Sequence, residues 1–167
     1  FRCVLFRSVR SMDRLGYKPQ IVSAWGVGVQ FAQTAGPLAE GVIVAGTFTW
    51  MGQLSERAQG VLQRIQAKFS QVRGAQDLLL PSGTANAYDA TYIIAETMKL
   101  AGRIDREAFR QALYRVNYQG IVTNYTPAFE ANQERHDAIR PEAYRLLAFH
   151  NGQLVAIEQT PYAQPRR

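Results

Sequence analysis

The sequence has one cysteine and two histidines in 167 residues, and each scarcity removes a class of chemistry. His136 and His150 stand apart, with no cysteine or second histidine at ligand spacing, so no metal site is expected. No apolar run approaches the roughly 18 residues of a membrane span. Gly, Thr or Gln interrupts each of them within a few positions. A dense block of one charge is missing inside the chain too. The formal charge is +6, but Arg57, Arg64, Arg73, Arg103, Arg106, Arg110 and Arg115 are interleaved with Glu56, Glu96, Asp105 and Glu107. That spread describes a solvated surface without the basic stripe that a nucleic-acid partner requires.

Catalytic signatures are lacking as well. Gly26-x-Gly28 hints at a dinucleotide fingerprint, yet the third glycine would fall at position 31, which is Phe31. No G-x-S-x-G elbow occurs, and no carboxylate pair stands out as acid and base. Neither a cofactor nor an enzymatic activity is expected. The apolar and charged fractions, 47% and 19%, are ordinary for a globular chain that forms one domain or parts of two lobes.

The first eight residues stand outside this reading. FRCVLFRS resembles the translation of a common sequencing-library adapter, with Cys3 where that translation has arginine. Residues 1–8 are therefore read as a non-native segment and set aside from the fold. The competing reading is a short basic amphipathic stretch continuing into Val9 to Leu15. On the first reading Cys3 says nothing of redox compartment, and the missing leader says nothing of localisation.

What is present alternates between two periods. Val9 to Leu15 reads as the end of a helix stopped by Gly16, and Gln20 to Ala24 as a short strand. A tight turn at Trp25 to Gly28 leads into a helix over Val29 to Thr34, which Gly36-Pro37 terminates. VIVAGTFTW (42–50) is a continuous β-branched run of the kind buried in a sheet. Ser55 caps a helix with Ala58, Val61, Leu62, Ile65, Phe69 and Val72 at helical spacing, closed by Gly74. Leu78 to Leu80 reads as a short strand and Pro81-Ser82-Gly83 as its turn. Asn86 with Asp89 three residues on looks like a capping box opening a helix that ends at Gly102. Asp105 caps another helix, and Gly120 to Phe129 is extended and turn-rich. Asn151-Gly152 between Tyr144 to Phe149 and Gln153 to Ile157 is a hairpin signal. The tail from Gln159 is expected to fray. This alternation gives an α/β fold with ligand chemistry at the loops where strands hand over to helices.

Five pieces in this order carry a resemblance: LGYKPQ (15–20), AEGVIV (39–44), the YDA-containing helix (88–101), DREAFRQAL (105–113) and YRLLAFHNGQLV (144–155). Together they resemble the carboxyl-terminal half of a periplasmic binding protein of the leucine/branched-chain amino-acid receptor family, over roughly Val9 to Glu158. The resemblance implies a partial type 1 fold, two lobes of Rossmann-like parallel sheets flanked by helices. It assigns residues 9–78 to the remainder of one lobe and 79–140 to a crossover and the helices of the other. Residues 141–158 become a return hairpin and 159–167 a tail. It implies a small-molecule solute, an ABC permease in the inner membrane, and a monomer when complete. An extracytoplasmic or periplasmic location follows, with a signal sequence expected in the missing amino-terminal part. A fragment of this extent is not expected to bind solute tightly.

Amino-acid-binding members place an acidic residue just before the Gly-Val-Gly turn to pair with the ligand ammonium. Here that residue is Trp25, which suits stacking on an aromatic, apolar or cationic solute, or else fills the core. Gly26 beside it allows close backbone approach or merely satisfies the turn. The resemblance places Asn86 and Tyr88 among cleft residues, although Asn86 also reads as a simple cap and Asp89 as a carboxylate favoured by the helix dipole. Thr49, with Thr47 and Trp50, ends the buried run, where loops touch ligands. The expected function is capture of a small amino-acid-like, amide or aromatic-acid solute for an ABC importer. A ligand-sensing domain of the same fold is the alternative, and a doubly wound enzyme a more distant one.

Overall fold

The computed structural model describes residues 2–131 and 136–164. Phe1 of the segment set aside above, residues 132–135, and residues 165–167 of the tail lie outside them. The chain forms two compact units, Phe1–Thr84 with Tyr144–Arg167, and Ala85–Ala143.

The first unit is built on a four-stranded sheet. β1 (Val22–Ala24) runs parallel to β2 (Ile43–Gly46), in the register Val22 to Ile43. β5 (Arg145–His150) then pairs antiparallel with β2, and β6 (Gln153–Ala156) with β5. The sheet is thus mixed, parallel only at its first pair, where the sequence suggested parallel sheets. A hairpin returning from far along the chain enters beside β2 in the opposite sense. Its turn is Asn151-Gly152, both at positive φ (50° and 75°). A two-residue turn of that hand matches strand twist, and asparagine and glycine reach it at least cost.

Strand alternation sends Val44, Leu147, Phe149 and Leu154 into one core. Val9 of α1 (Arg2–Arg14) and Phe31, Ala32 and Ala35 of α2 (Gln30–Ala35) cover it. Phe31 and Phe149 meet with ring centroids 5.3 Å apart. Each large apolar side chain buried here contributes roughly 1.5–3 kcal/mol. Leu5 and Phe6 also pack against this core, so the segment with adapter-like sequence forms the first half of α1 in continuity with residues 9–14. α3 (Glu56–Lys68) starts as expected, the Ser55 hydroxyl accepting from the Ala58 N–H, and it ends a turn earlier than its apolar spacing suggests.

The tail is not frayed along its described length. Glu40 accepts hydrogen bonds from the Tyr162 hydroxyl (2.6 Å) and the Asn151 N–H (2.9 Å), and pairs with His150 Nδ1 at 2.8 Å. Partial burial would raise the Glu40 carboxyl, but these three partners outweigh it and hold it below its usual range. Local composition at 159–164 gives no hint of this anchor, because Glu40 lies more than a hundred residues away.

In the second unit, α4 (Pro81–Ala101), α5 (Arg106–Leu113) and the short pair β3 (Tyr118–Gln119) and β4 (Asn124–Tyr125) enclose Ile93, Val116, Tyr125 and Ala128. α5 begins where the Asp105 carboxylate accepts from the Ala108 N–H, as the sequence indicated. The first turn of α4 belongs to the first unit and its remainder to the second.

Candidate functional site

Three loops converge at the carboxyl end of the β1–β2 parallel pair. The first is the turn after β1. Ala24 accepts from the Val27 N–H, which closes the turn, while Trp25 is 44% exposed and Gly26 borders open space. Trp25 is therefore not a core residue. The second loop follows β2, and here Thr47, Phe48 and Trp50 are buried. The third is the segment leading into α4.

Ser82 ties the last two together. Its Oγ accepts from the Thr47 and Phe48 N–H groups and donates to the Phe48 carbonyl at 3.0 Å. Trp50 Nε1 donates to the Pro81 carbonyl at 3.0 Å, which satisfies a buried indole N–H. The first and third loops meet through the Val29 N–H, which donates to the Leu79 carbonyl. Gly28 has no room for a side chain, since a Cβ there would collide with that carbonyl. Close backbone approach thus occurs at Gly28, toward the chain itself, and Gly26 is the open glycine.

Thr49 has a structural task. Its hydroxyl donates to the Leu154 carbonyl at 2.8 Å and accepts from the Met51 N–H, tying the loop to β6. Thr49→Val is expected to cost about 1 kcal/mol, the usual net worth of one such bond. Urea unfolding reads that loss directly, and an unchanged midpoint would remove Thr49 from this role.

The segment before α4 differs from its sequence reading. Leu78 to Leu80 is not a strand, and Pro81-Ser82-Gly83 is the first helical turn. Proline favours the first helical position, where no N–H is needed, so the helix starts there. Asn86 consequently lies within α4 and does not cap it. Both Asn86 and Tyr88 belong to the second unit. The Tyr88 ring packs on Tyr92 at 4.8 Å, and Tyr92 stacks nearly parallel on Tyr118.

Asp89, read as a dipole-favoured carboxylate near a helix start, is fully buried and does something else. It accepts from the Ile121 and Val122 N–H groups (2.8 and 2.9 Å) and from the Tyr125 hydroxyl (3.1 Å), fastening the β3–β4 loop to α4. Burial, and then the neighbouring Asp89 charge, push the Tyr125 hydroxyl well above its usual range, so it stays a donor. A cavity of about 580 Å³ elsewhere in the second unit, lined by Met98, Ile104, Arg106 and Phe109, contains none of the candidate ligand-binding residues.

Sequence reasoning missed Leu79, Leu80, Pro81 and Ser82 as members of the loop cluster. Proline at a helix start was the available signal.

The model of a family described as periplasmic binding protein matches residues 4–148. No curated protein matches the chain significantly. Among solved structures, a periplasmic binding protein type 1 from Bordetella pertussis Tohama I aligns at TM-score 0.72 and 24% identity, over 92% of this chain and 43% of its own. The leucine binding protein LivK of Thermotoga maritima aligns at 0.70 and 16%, over 93% and 41%. LivJ of Streptococcus pneumoniae, a branched-chain amino acid transporter substrate binding protein in complex with isoleucine, aligns at 0.69 and 19%, over 92% and 40%. The chain spans less than half the length of each of these relatives.

Proposed function

The chain belongs to the periplasmic binding protein family, and from that premise we propose that the complete protein is the extracytoplasmic solute-binding component of an ABC importer. It captures a small amino-acid-like, amide or aromatic-acid solute by closing two lobes, and delivers it to a permease in the inner membrane. Closure is a population shift, favoured by contacts that the solute makes only in the closed state. The two units belong to the two lobes, and the complete protein acts as a monomer carrying a signal sequence. Trp25, Gly26, Asn86 and Tyr88 are the proposed ligand-binding residues, and Thr49 acts by holding its loop.

The observation that supports this best is the exposed Trp25 where three loops converge at the carboxyl end of a parallel strand pair. Ligands of α/β sheets bind at such ends. A thermal-shift series on the complete protein should show at least one solute from the three classes raising the melting temperature by several degrees. A ligand at a hundred times its Kd adds about 2.7 kcal/mol. Its binding should also change tryptophan fluorescence in a way that Trp25→Phe abolishes. No shift with any amino acid, amide or aromatic acid would overturn the reading.

A further inference from the structure

We infer that Trp25, Leu79 and Leu80 form an uncharged apolar shelf that selects an aromatic solute lacking an ammonium group; this rests on the receptor reading above. The two leucines are 46% and 40% exposed, close to Trp25 at 44%. They are brought to the Trp25 turn by the Val29–Leu79 hydrogen bond, and Leu80 Cδ2 reaches within 3.1 Å of where a Cβ on Gly28 would stand. Gly26 leaves the neighbouring side uncovered. Exposed apolar side chains of this size at a loop cluster mark a surface that something covers.

Charge decides what covers it. The three converging loops, residues 25–29, 47–55 and 78–84, contain no Asp, Glu, Lys, Arg or His. An ammonium brought onto this surface would lose water without gaining a counter-charge from these loops, which is unfavourable. The face of the Trp25 indole would return only part of that cost. A ring without a nearby charge meets no such penalty, stacks on the indole and covers both leucines. Solvation therefore outweighs the cation–π attraction, and the shelf discriminates against α-amino acids.

The test uses two probes with the same ring and carboxylate, differing in the ammonium: 3-phenylpropionate and phenylalanine. Calorimetry on the complete protein is expected to show 3-phenylpropionate binding at least tenfold more tightly. Leu79→Ser and Leu80→Ser, which change exposed side chains, should each weaken 3-phenylpropionate by about fivefold or more and leave the melting temperature of the free protein within a degree or two. Phenylalanine binding as tightly as its deaminated analogue would overturn the shelf, as would leucine variants within twofold of the parent. Binding of leucine or an amide with neither aromatic probe bound overturns the shelf and leaves the receptor reading standing. Binding of no solute from any class overturns both.

Discussion

Replacing Asp89 with alanine is expected to remove about 3–5 kcal/mol from the stability of the second unit, the loss that follows when one partner of a buried charged cluster is taken away. The carboxylate is fully buried and accepts two backbone N–H groups and one hydroxyl. Alanine would leave those three donors without an acceptor in a place water does not reach, and each unsatisfied donor costs about 1–3 kcal/mol. The loss is comparable to a large part of a small domain's total stability of about 5–15 kcal/mol. An asparagine in its place keeps the shape and one acceptor oxygen, but turns an amide N–H₂ toward a backbone N–H. Asp89→Asn should therefore recover no more than half of the loss. Hydrogen exchange gives the sharpest reading, because the Ile121 and Val122 amides should lose protection before the rest of the unit. Protection unchanged in Asp89→Ala would mean that the loop is held by something else. Gly120 lies against the same carboxylate, with the Asp89 Cγ 2.6 Å from where its Cβ would stand, so that loop has no slack to absorb the change.

Gly28→Ala is the second large effect. The new methyl would fall on the Leu79 carbonyl and crowd Leu80 Cδ2. The obstructing group is backbone, held by the Val29 N–H, so relief requires moving a segment instead of rotating a side chain. Overpacking typically costs about 1–3 kcal/mol, and the upper end applies here. The control is Gly26→Ala two residues earlier, where a Cβ meets nothing within 4 Å. An exposed substitution of that kind should stay within about 0.5 kcal/mol of the parent. In urea unfolding the pair should separate clearly. If Gly28→Ala matched Gly26→Ala, the two loops would not be in contact as described.

Much of this protein was legible because it is local. Ser55 and Asp105 cap helices through an N–H three residues on, so residue type and spacing sufficed to find them. Asn151-Gly152 names its own turn, since few residue pairs accept two successive positive φ angles. The Gly26 and Gly28 turn, the α2 helix after it and the start of β2 follow from period and punctuation alone, although the run read as one strand over 42–50 leaves the sheet after Gly46 and continues as a loop. Trp25 could be singled out as a candidate through the resemblance, which places a ligand-pairing residue just before that turn, though not shown to be exposed.

What the sequence could not supply was any role set by a partner far along the chain. Asp89 has the spacing of a capping residue, and only Ile121, Val122 and Tyr125 reveal it as the fastening of a loop. Gly28 and Gly26 look alike in the sequence; the arrival of Leu79 makes one indispensable to packing and leaves the other open. Leu78 to Leu80 has strand composition, yet Pro81 and the clamp from Ser82 and Trp50 draw that segment into the entry of a helix. The antiparallel entry of β5 beside β2, and the hold of Glu40 on Tyr162, join residues about a hundred positions apart. Propensity and periodicity encode neighbours within a few residues, whereas these contacts depend on which surfaces the folded chain brings together.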